Sequence, residues 1–532
     1  MEIIFETKKL ISYENEDYSV KYIGLPFIPG YRAGDQSIRV FLQLISNHSI
    51  EHASMYLGGT YFIKIKYRKN DITQIITDNI GICKLFYSDK IISTSFLSLI
   101  NNSNLQKKDI DKRSIIEFLR FGTVLNNRTL FKNIHILPKS KILSISDKGD
   151  MNIIKKDNST PSVNTILNIE DYFRKALRNQ KASIDITAGI DSRYNVCLFS
   201  NHESIRETFT SDKPENIDAS MGSIISEMLG FDHYIHTHHV DKKIENDLDD
   251  IWELSDGLIG FIVAHRQYQV SSGRNKRNID LSISGVGGEF FKEILYMQQF
   301  PFIDKNVNYN LLYDLRFEIF PFDHEILHTQ YRAISNELRR NILTDIKKYQ
   351  NGDFSKTINN IWYEYKIPYF IGFYVSRVTV QYHNVFLPFL ERIMFEYSKQ
   401  IQLNQKIFDI WHRKQITRLN ENIASIKTSQ EISVSSKYHY MIKDILISIF
   451  NRIKRLAIKF GQRIFSRTYI LQSPVNKDIY ALLESSGITE DSIQILKEFG
   501  ILDINVEVSD INRKHIGNII TLAFVLKKIS ST

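Results

Sequence analysis

The chain has 532 residues, enough for two or three domains with full cores. Hydrophobic residues make up 43% and charged residues 24%, ordinary globular proportions, and the net charge of +8 is moderate. Two cysteines, Cys83 and Cys197, cannot by themselves build a disulfide framework or a zinc site. No apolar run reaches membrane-spanning length, and the acidic N-terminus (Glu2, Glu6, Glu14, Glu16) lacks the apolar core of a signal peptide, so a soluble, cytoplasmic protein is expected.

Residues 1 to about 150 read as β-rich. Tyr61–Tyr67 alternates apolar and basic residues, and 72–77 and 90–94 continue as short strands, with turns at Lys69-Asn70-Asp71 and Asp78-Asn79. A helix is expected at 113–121 and a last strand at 141–145. The polar stretch 147–162, with Gly149 and Pro161, reads as a linker. A helix at 165–178 follows, and then strands at 184–187, 207–210, 233–236 and 279–284 alternate with helical stretches. That alternation predicts a parallel sheet with helices on both faces. From Asn310 onward the chain reads as mostly helical. The expected organisation is an α+β, sandwich-like domain over 1–150, an α/β domain over 160–430 and a basic helical extension over 431–532.

The segment Ile184-Asp-Ile-Thr-Ala-Gly-Ile-Asp-Ser-Arg193 runs from an apolar strand through a small-residue loop into a helix. N–H groups at a helix N-terminus are unpaired and attract anions. Ala188 and Gly189 permit close approach of a ligand, and Thr187 and Ser192 add hydroxyls. Asp191 has the wrong charge for phosphate itself and suits a magnesium ion that bridges phosphates. The competing reading is an ordinary strand-to-helix turn with an Asp/Ser cap. A second glycine-rich loop, Ser284-Gly-Val-Gly-Gly-Glu-Phe-Phe-Lys292, also follows an apolar stretch. It departs from the dinucleotide pattern because Phe290 stands at the last glycine position. Both loops are expected at the carboxyl edge of one sheet, where Ser284, Gly285, Gly287 and Gly288 would line a nucleotide site and Asp191 and Glu289 would hold magnesium against a triphosphate. A plain glycine turn remains the alternative for the second loop.

The first loop resembles the Ser-Gly-Gly-x-Asp-Ser pyrophosphate loop of the ATP pyrophosphatases, with Thr187 for the serine and Ala188 for the first glycine. Together with Thr208–Asp212, Asp218-Ala219, Leu229-Gly230-Phe-Asp-His233, Ser284–Glu289 and Phe386-Leu-Pro-Phe-Leu-Glu391, it resembles the asparagine synthetase superfamily in order and spacing. Lys406, Arg413-Lys414 and Lys427 fall where that family keeps basic residues that neutralise departing pyrophosphate. Leu57–Phe62, Asp78-x-x-Gly81, Phe86-Tyr87, Ser93-Thr-Ser95, Arg128–Phe131 and Leu137-Pro138 resemble its class II glutamine amidotransferase domain. The resemblance covers about residues 50–430 and implies an adenine nucleotide α-hydrolase-like second domain binding ATP and Mg2+.

Two departures bear on chemistry. The family's glutaminase nucleophile is an N-terminal cysteine, whereas residue 2 here is Glu, so glutamine hydrolysis is not expected. Val286 stands where asparagine synthetases carry a Glu, which leaves the general base unassigned. The resemblance then implies an ATP-dependent carbon–nitrogen ligase that forms AMP and pyrophosphate. It would adenylate a small-molecule or peptide carboxylate for attack by an amine or ammonia. Asp191, Ser192, Arg193 and Lys427 would steady the leaving pyrophosphate. Rival readings are a lasso-peptide-type macrolactam cyclase, an enzyme amidating a surface-polysaccharide sugar acid, and a nucleotide-binding scaffold without catalysis. Nucleic acid is not an expected partner.

Cys197, six residues past Asp191, reads as a small buried residue, and His233 and His236 as packed or capping rather than metal-bound. The stretch 437–467 holds eight Lys/Arg against one acid, Asp444. Its apolar residues Ile442, Ile445, Leu446, Ile449, Phe450, Ile453, Leu456, Phe460 and Ile464 form a helical stripe. A core-facing helix with a solvated basic face is the reading preferred; peripheral contact with an anionic membrane is the alternative.

Overall fold

A computed structural model describes residues 2–5, 9–157, 165–238, 244–297, 303–464 and 477–530. Among the described residues the protein is a mixed α/β molecule with three sheets, one of them parallel, and many helices.

The first 157 residues carry two sheets. A six-stranded antiparallel sheet runs in the order Met151–Lys155, Lys141–Ile145, Thr73–Thr77, Tyr61–Tyr67, Tyr18–Gly24, Ile11–Glu14. Its central strand shows why: successive side chains point to opposite faces. Tyr61, Ile63 and Ile65 pack against Ile38, Phe41, Leu42 and Ile45 of the helix Asp35–Asn47. Phe62 turns the other way, into a core shared with Leu85, Ile92 and Leu137 from around the four-stranded sheet. The expected linker is only partly one. Ser146–Asp150 closes a hairpin through Gly149 at φ 88°, and Met151–Lys155 is added as an edge strand. It was hidden in sequence because its Met151, Ile153 and Ile154 sit among Lys, Asn and Asp residues and the edge strand buries little surface. Residues 158–162 of that segment lie outside the described residues.

The parallel sheet has the order Asp232–His236, Ile205–Ser211, Ala182–Asp185, Leu281–Ile283, Asn384–Phe386. Ala182, Ser183, Ile184, Leu281 and Ile283 are buried, as befits strands covered on both faces. From Ala182–Asp185 the chain continues to one side, and from its neighbour Leu281–Ile283 to the other. The loops after these two strands therefore stand side by side at the crevice of the carboxyl edge, the place where open α/β sheets accept ligands.

The four-stranded sheet and the parallel sheet share one continuous core: Phe86 and Ile91 belong to the same cluster as Ile184, Phe386 and Val525. Three polar seams reinforce it. Thr60 donates to the Val385 carbonyl at 2.6 Å, and the Gly59 N–H donates to buried Glu391 at 2.9 Å. Asp256, fully buried, accepts from Ser95 Oγ and from the Phe96 and Leu97 N–H groups, capping a helix 160 residues earlier. The helix Arg513–Ser530 inserts Ile516, Ile519, Leu522, Val525 and Leu526 into the same core.

The basic segment forms the helix Tyr438–Ile464. The preferred core-facing reading of its stripe is overturned for five of its six described apolar side chains; the sixth, Ile445, is half-buried. Ile442, Leu446, Ile449, Phe450 and Ile453 are exposed, and the face turned inward carries Asp444 instead. Burial of the Arg413–Asp444 ion pair sets that orientation. The side chains of Leu456, Phe460 and Ile464 lie outside the described residues. No helix of the described residues is long and apolar enough to cross a membrane.

Candidate functional site

The crevice is built by two loops pressed together. After Asp185, the Ile186 N–H makes one more bond to the Phe209 carbonyl, and the chain then breaks at Thr187 into the helix Ile190–Phe199. The strand thus ends two residues earlier than periodicity suggests, because its parallel partner Leu281–Ile283 ends at Ile283 opposite Ile184.

The second loop runs against the first. Asn195 donates to the Ser284 carbonyl at 2.9 Å. A Cβ on Gly285 would lie 2.8 Å from the Ser192 nitrogen, and one on Gly288 would lie 2.2 Å from the Asp191 carboxyl carbon. Gly287, at φ 97°, turns the chain where a side chain would strike Leu390. These glycines are required by loop-on-loop and loop-on-Leu390 contact before any ligand is considered.

Asp191 is the centre of the arrangement. Lys292 donates to its Oδ2 at 2.5 Å, and His412 Nε2 lies 3.1 Å from its Oδ1. Burial pushes this carboxyl up, but the Lys292 ammonium and His412 outweigh it and hold it below the usual carboxylate range. Glu289 responds oppositely: burial raises it, against a backbone hydrogen bond, and the nearby Asp191 charge adds to the rise. Its oxygens accept the Gly287 N–H at 3.1 Å and the Trp362 indole N–H at 3.3 Å. Asp409 joins the group electrostatically and is raised by burial. It is delivered by two successive left-handed non-glycine residues, Phe408 at φ 52° and Asp409 at φ 59°. Such backbone costs about 1–3 kcal/mol each and tends to collect at functional sites.

At the start of the helix, Gly189 makes no side-chain cap hydrogen bond, whereas the N–H groups of Thr187, Ala188 and Gly189 ahead of it are already engaged. Thr187 N–H donates to Ser192 Oγ at 3.1 Å, Gly189 N–H to Thr187 Oγ1 at 3.1 Å, and Ala188 N–H to Asp218 Oδ1 at 2.9 Å. The loop's own hydroxyls and the carboxylate of Asp218, in the first turn of the helix Ile217–Leu229, satisfy them. The Ala188 N–H is thus taken by an Asp carboxylate of the neighbouring helix.

Two expected pyrophosphate contacts lie elsewhere. Arg193 is fully buried and donates to the Ile426 carbonyl at 2.6 Å and the Lys427 carbonyl at 3.2 Å, closing the end of the helix Glu421–Ser425. One step round the helix from Ser192, it faces the packed side. Lys427 pairs with Glu431 at 2.9 Å on the surface. The other basic residues of that region are engaged too: Lys406 donates to the Tyr296 hydroxyl at 2.7 Å, Arg413 to Asp444 and Lys414 to Gln405. The cation that meets the loop is Lys292, and the imidazole is that of His412. Lys292 left a trace in sequence as the first cation after the second glycine loop. His412, between Trp411 and Arg413 on the helix Ile410–Leu419, left none.

The remaining candidates behave as packed residues. Burial pushes the Cys197 thiol up to about 12, and His233 Nδ1 is 2.9 Å from Thr208 Oγ1. Among the described residues no group of three His, Cys, Asp or Glu side chains converges to hold a metal unaided.

No protein-family model matches the chain, and no curated protein matches it.

Proposed function

We propose that the protein is an ATP-dependent amide-bond-forming enzyme of the asparagine synthetase type, with an ATP-pyrophosphatase-like second domain and no glutaminase activity. The observation that carries this reading is the meeting of the Thr187–Ser192 and Ser284–Lys292 loops at the topological switch point, with Asp191, Glu289 and Lys292 in one crevice.

ATP would enter as substrate. A carboxylate oxygen attacks the α-phosphorus, pyrophosphate leaves toward Lys292 and the Thr187 and Ser192 hydroxyls, and an amine or ammonia then displaces AMP from the acyl-adenylate. Positioning and charge neutralisation supply most of the acceleration in phosphoryl and nucleotidyl chemistry. Lys292, whose burial is outweighed by Asp191 so that it stays firmly protonated, is the fixed cation for that purpose. The donor set also suits magnesium: Asp191 and Glu289 are hard oxygen donors on touching loops, and magnesium needs only one or two protein carboxylates when phosphates complete its shell. When bound it would neutralise the polyphosphate charge. Val286 offers no proton acceptor for the attacking amine.

Purified protein with Mg-ATP and a panel of carboxylates and amines should release AMP and pyrophosphate, and Asp191→Asn should abolish the release. ADP and phosphate as products would overturn the reading. A non-catalytic nucleotide scaffold is the second reading, favoured by the Ala188 N–H already spent on Asp218. Under it, ATP binds without turnover.

A further inference from the structure

The helix Tyr438–Ile464 is 27 residues long, about 40 Å at 1.5 Å per residue. Along its first half Ile442, Leu446, Ile449, Phe450 and Ile453 occupy one face, and all five are exposed; Phe450 is 67% and Leu446 63% accessible. Successive residues turn by about 100°, so these five fall within roughly a third of the circumference. Lys443 and Lys454, both exposed, border the same side of this stripe. Asp444 is the single acid among the eight cations of 437–467, and it points the other way. It is buried against Arg413 at 2.8 Å and accepts from Ser433 Oγ at 2.7 Å and Ser433 N–H at 3.2 Å. The inward face is thus fastened to the body by the one negative charge, and the outward face is left apolar and cationic.

We infer that this helix is a docking surface for an anionic lipid bilayer, lying in the interface with its apolar stripe among the acyl chains and its lysines at the headgroups. Three physical points favour that occupant. An interfacial helix needs an apolar face, a cationic border and too many charges to span, and this helix has all three. A second copy of the chain, packed stripe to stripe, would bring the Lys443 and Lys454 borders of both copies together with no exposed acid on the helix to offset them. Nucleic acid would use the charge but leave Leu446, Phe450 and Ile453 in water. Arg413, the inner anchor, follows His412 in sequence, so the docking helix is tied to the helix that walls the crevice.

The test is flotation of the full-length protein with vesicles of phosphatidylcholine, with and without about 30% phosphatidylglycerol. Binding should be at least about tenfold tighter to the anionic vesicles and should weaken as salt rises. Leu446→Ser/Phe450→Ser should lose at least about tenfold in vesicle affinity. Both sites are exposed, so circular dichroism and Tm should match the parent. In a Phe450→Trp variant, brominated lipid should quench the added fluorescence, which reads insertion directly. Equal binding to neutral and anionic vesicles, or vesicle binding unchanged by the double substitution, overturns the inference. So does a dimer that the double substitution converts to monomer without any vesicle binding. None of these outcomes bears on whether the crevice cleaves ATP.

Discussion

Lys292 and Asp191, 101 residues apart in the chain, join the two glycine-bearing loops through a 2.5 Å hydrogen bond between ions. Their side chains are 21% and 23% exposed, so the pair is neither fully desolvated nor freely solvated. Removing the ammonium leaves Asp191 facing any incoming polyphosphate with uncompensated charge. Lys292→Ala should weaken pyrophosphate binding about tenfold to a hundredfold, a loss of ~1.4–2.8 kcal/mol measurable by calorimetry. Unchanged affinity would remove Lys292 from the site.

Asp218 makes the opposite contribution. Its carboxylate takes the Ala188 N–H, a donor that the proposed pyrophosphate site would otherwise offer. Asp218→Ala should free that donor and remove a repelling charge, so pyrophosphate affinity should rise by about threefold or more. A fall would mean that Asp218 holds the loop in its binding shape.

Arg193 is a structural clamp in this geometry, so stability and ligand binding should separate. Arg193→Lys cannot span the carbonyls of Ile426 and Lys427 in the same forked way. It should lower unfolding free energy by about 2–4 kcal/mol, read from denaturant curves, with pyrophosphate affinity within about threefold of the parent. A large affinity loss at unchanged Tm would restore the phosphate role.

Glu391 sets a pH dependence. Burial pushes its carboxyl up to about 8, against the Gly59 N–H bond, and the Asp78 charge adds to the rise. The folded protein therefore keeps a proton that the unfolded chain releases above about 4.5. Stability from this group is fully present below the unfolded pKa and is lost as pH rises through the folded one, by up to about 1.4 kcal/mol per unit. Glu391→Gln should flatten the fall in unfolding free energy between about pH 5 and 8. An unaltered slope would show that Glu391 is ionised in the fold.

Much of the local structure was legible. Tyr61–Tyr67 is a strand with the bounds its alternation implies, because successive side chains of a strand point to opposite faces, and Lys141–Ile145 is a strand with the bounds expected. The helix Asp35–Asn47 escaped although Ile38, Phe41, Leu42 and Ile45 carry its stripe. The three-residue strand Asn384–Phe386 escaped for a better reason: so short a strand has no period to read.

By itself, the sequence determined where the chain must turn, which stretches carry strand or helix periodicity, and that two small-residue loops follow two strands of a parallel sheet. Those properties depend on neighbours along the chain. Only the tertiary structure decided that Lys292 rather than Arg193 or Lys427 meets Asp191, that Asp218 holds the Ala188 N–H, and that the stripe of Tyr438–Ile464 faces outward. Each of those outcomes is a contact across tens to hundreds of residues. A hydrogen bond is lost over less than an ångström of displacement, so its partner is chosen by how the elements pack and not by the order in which they are written.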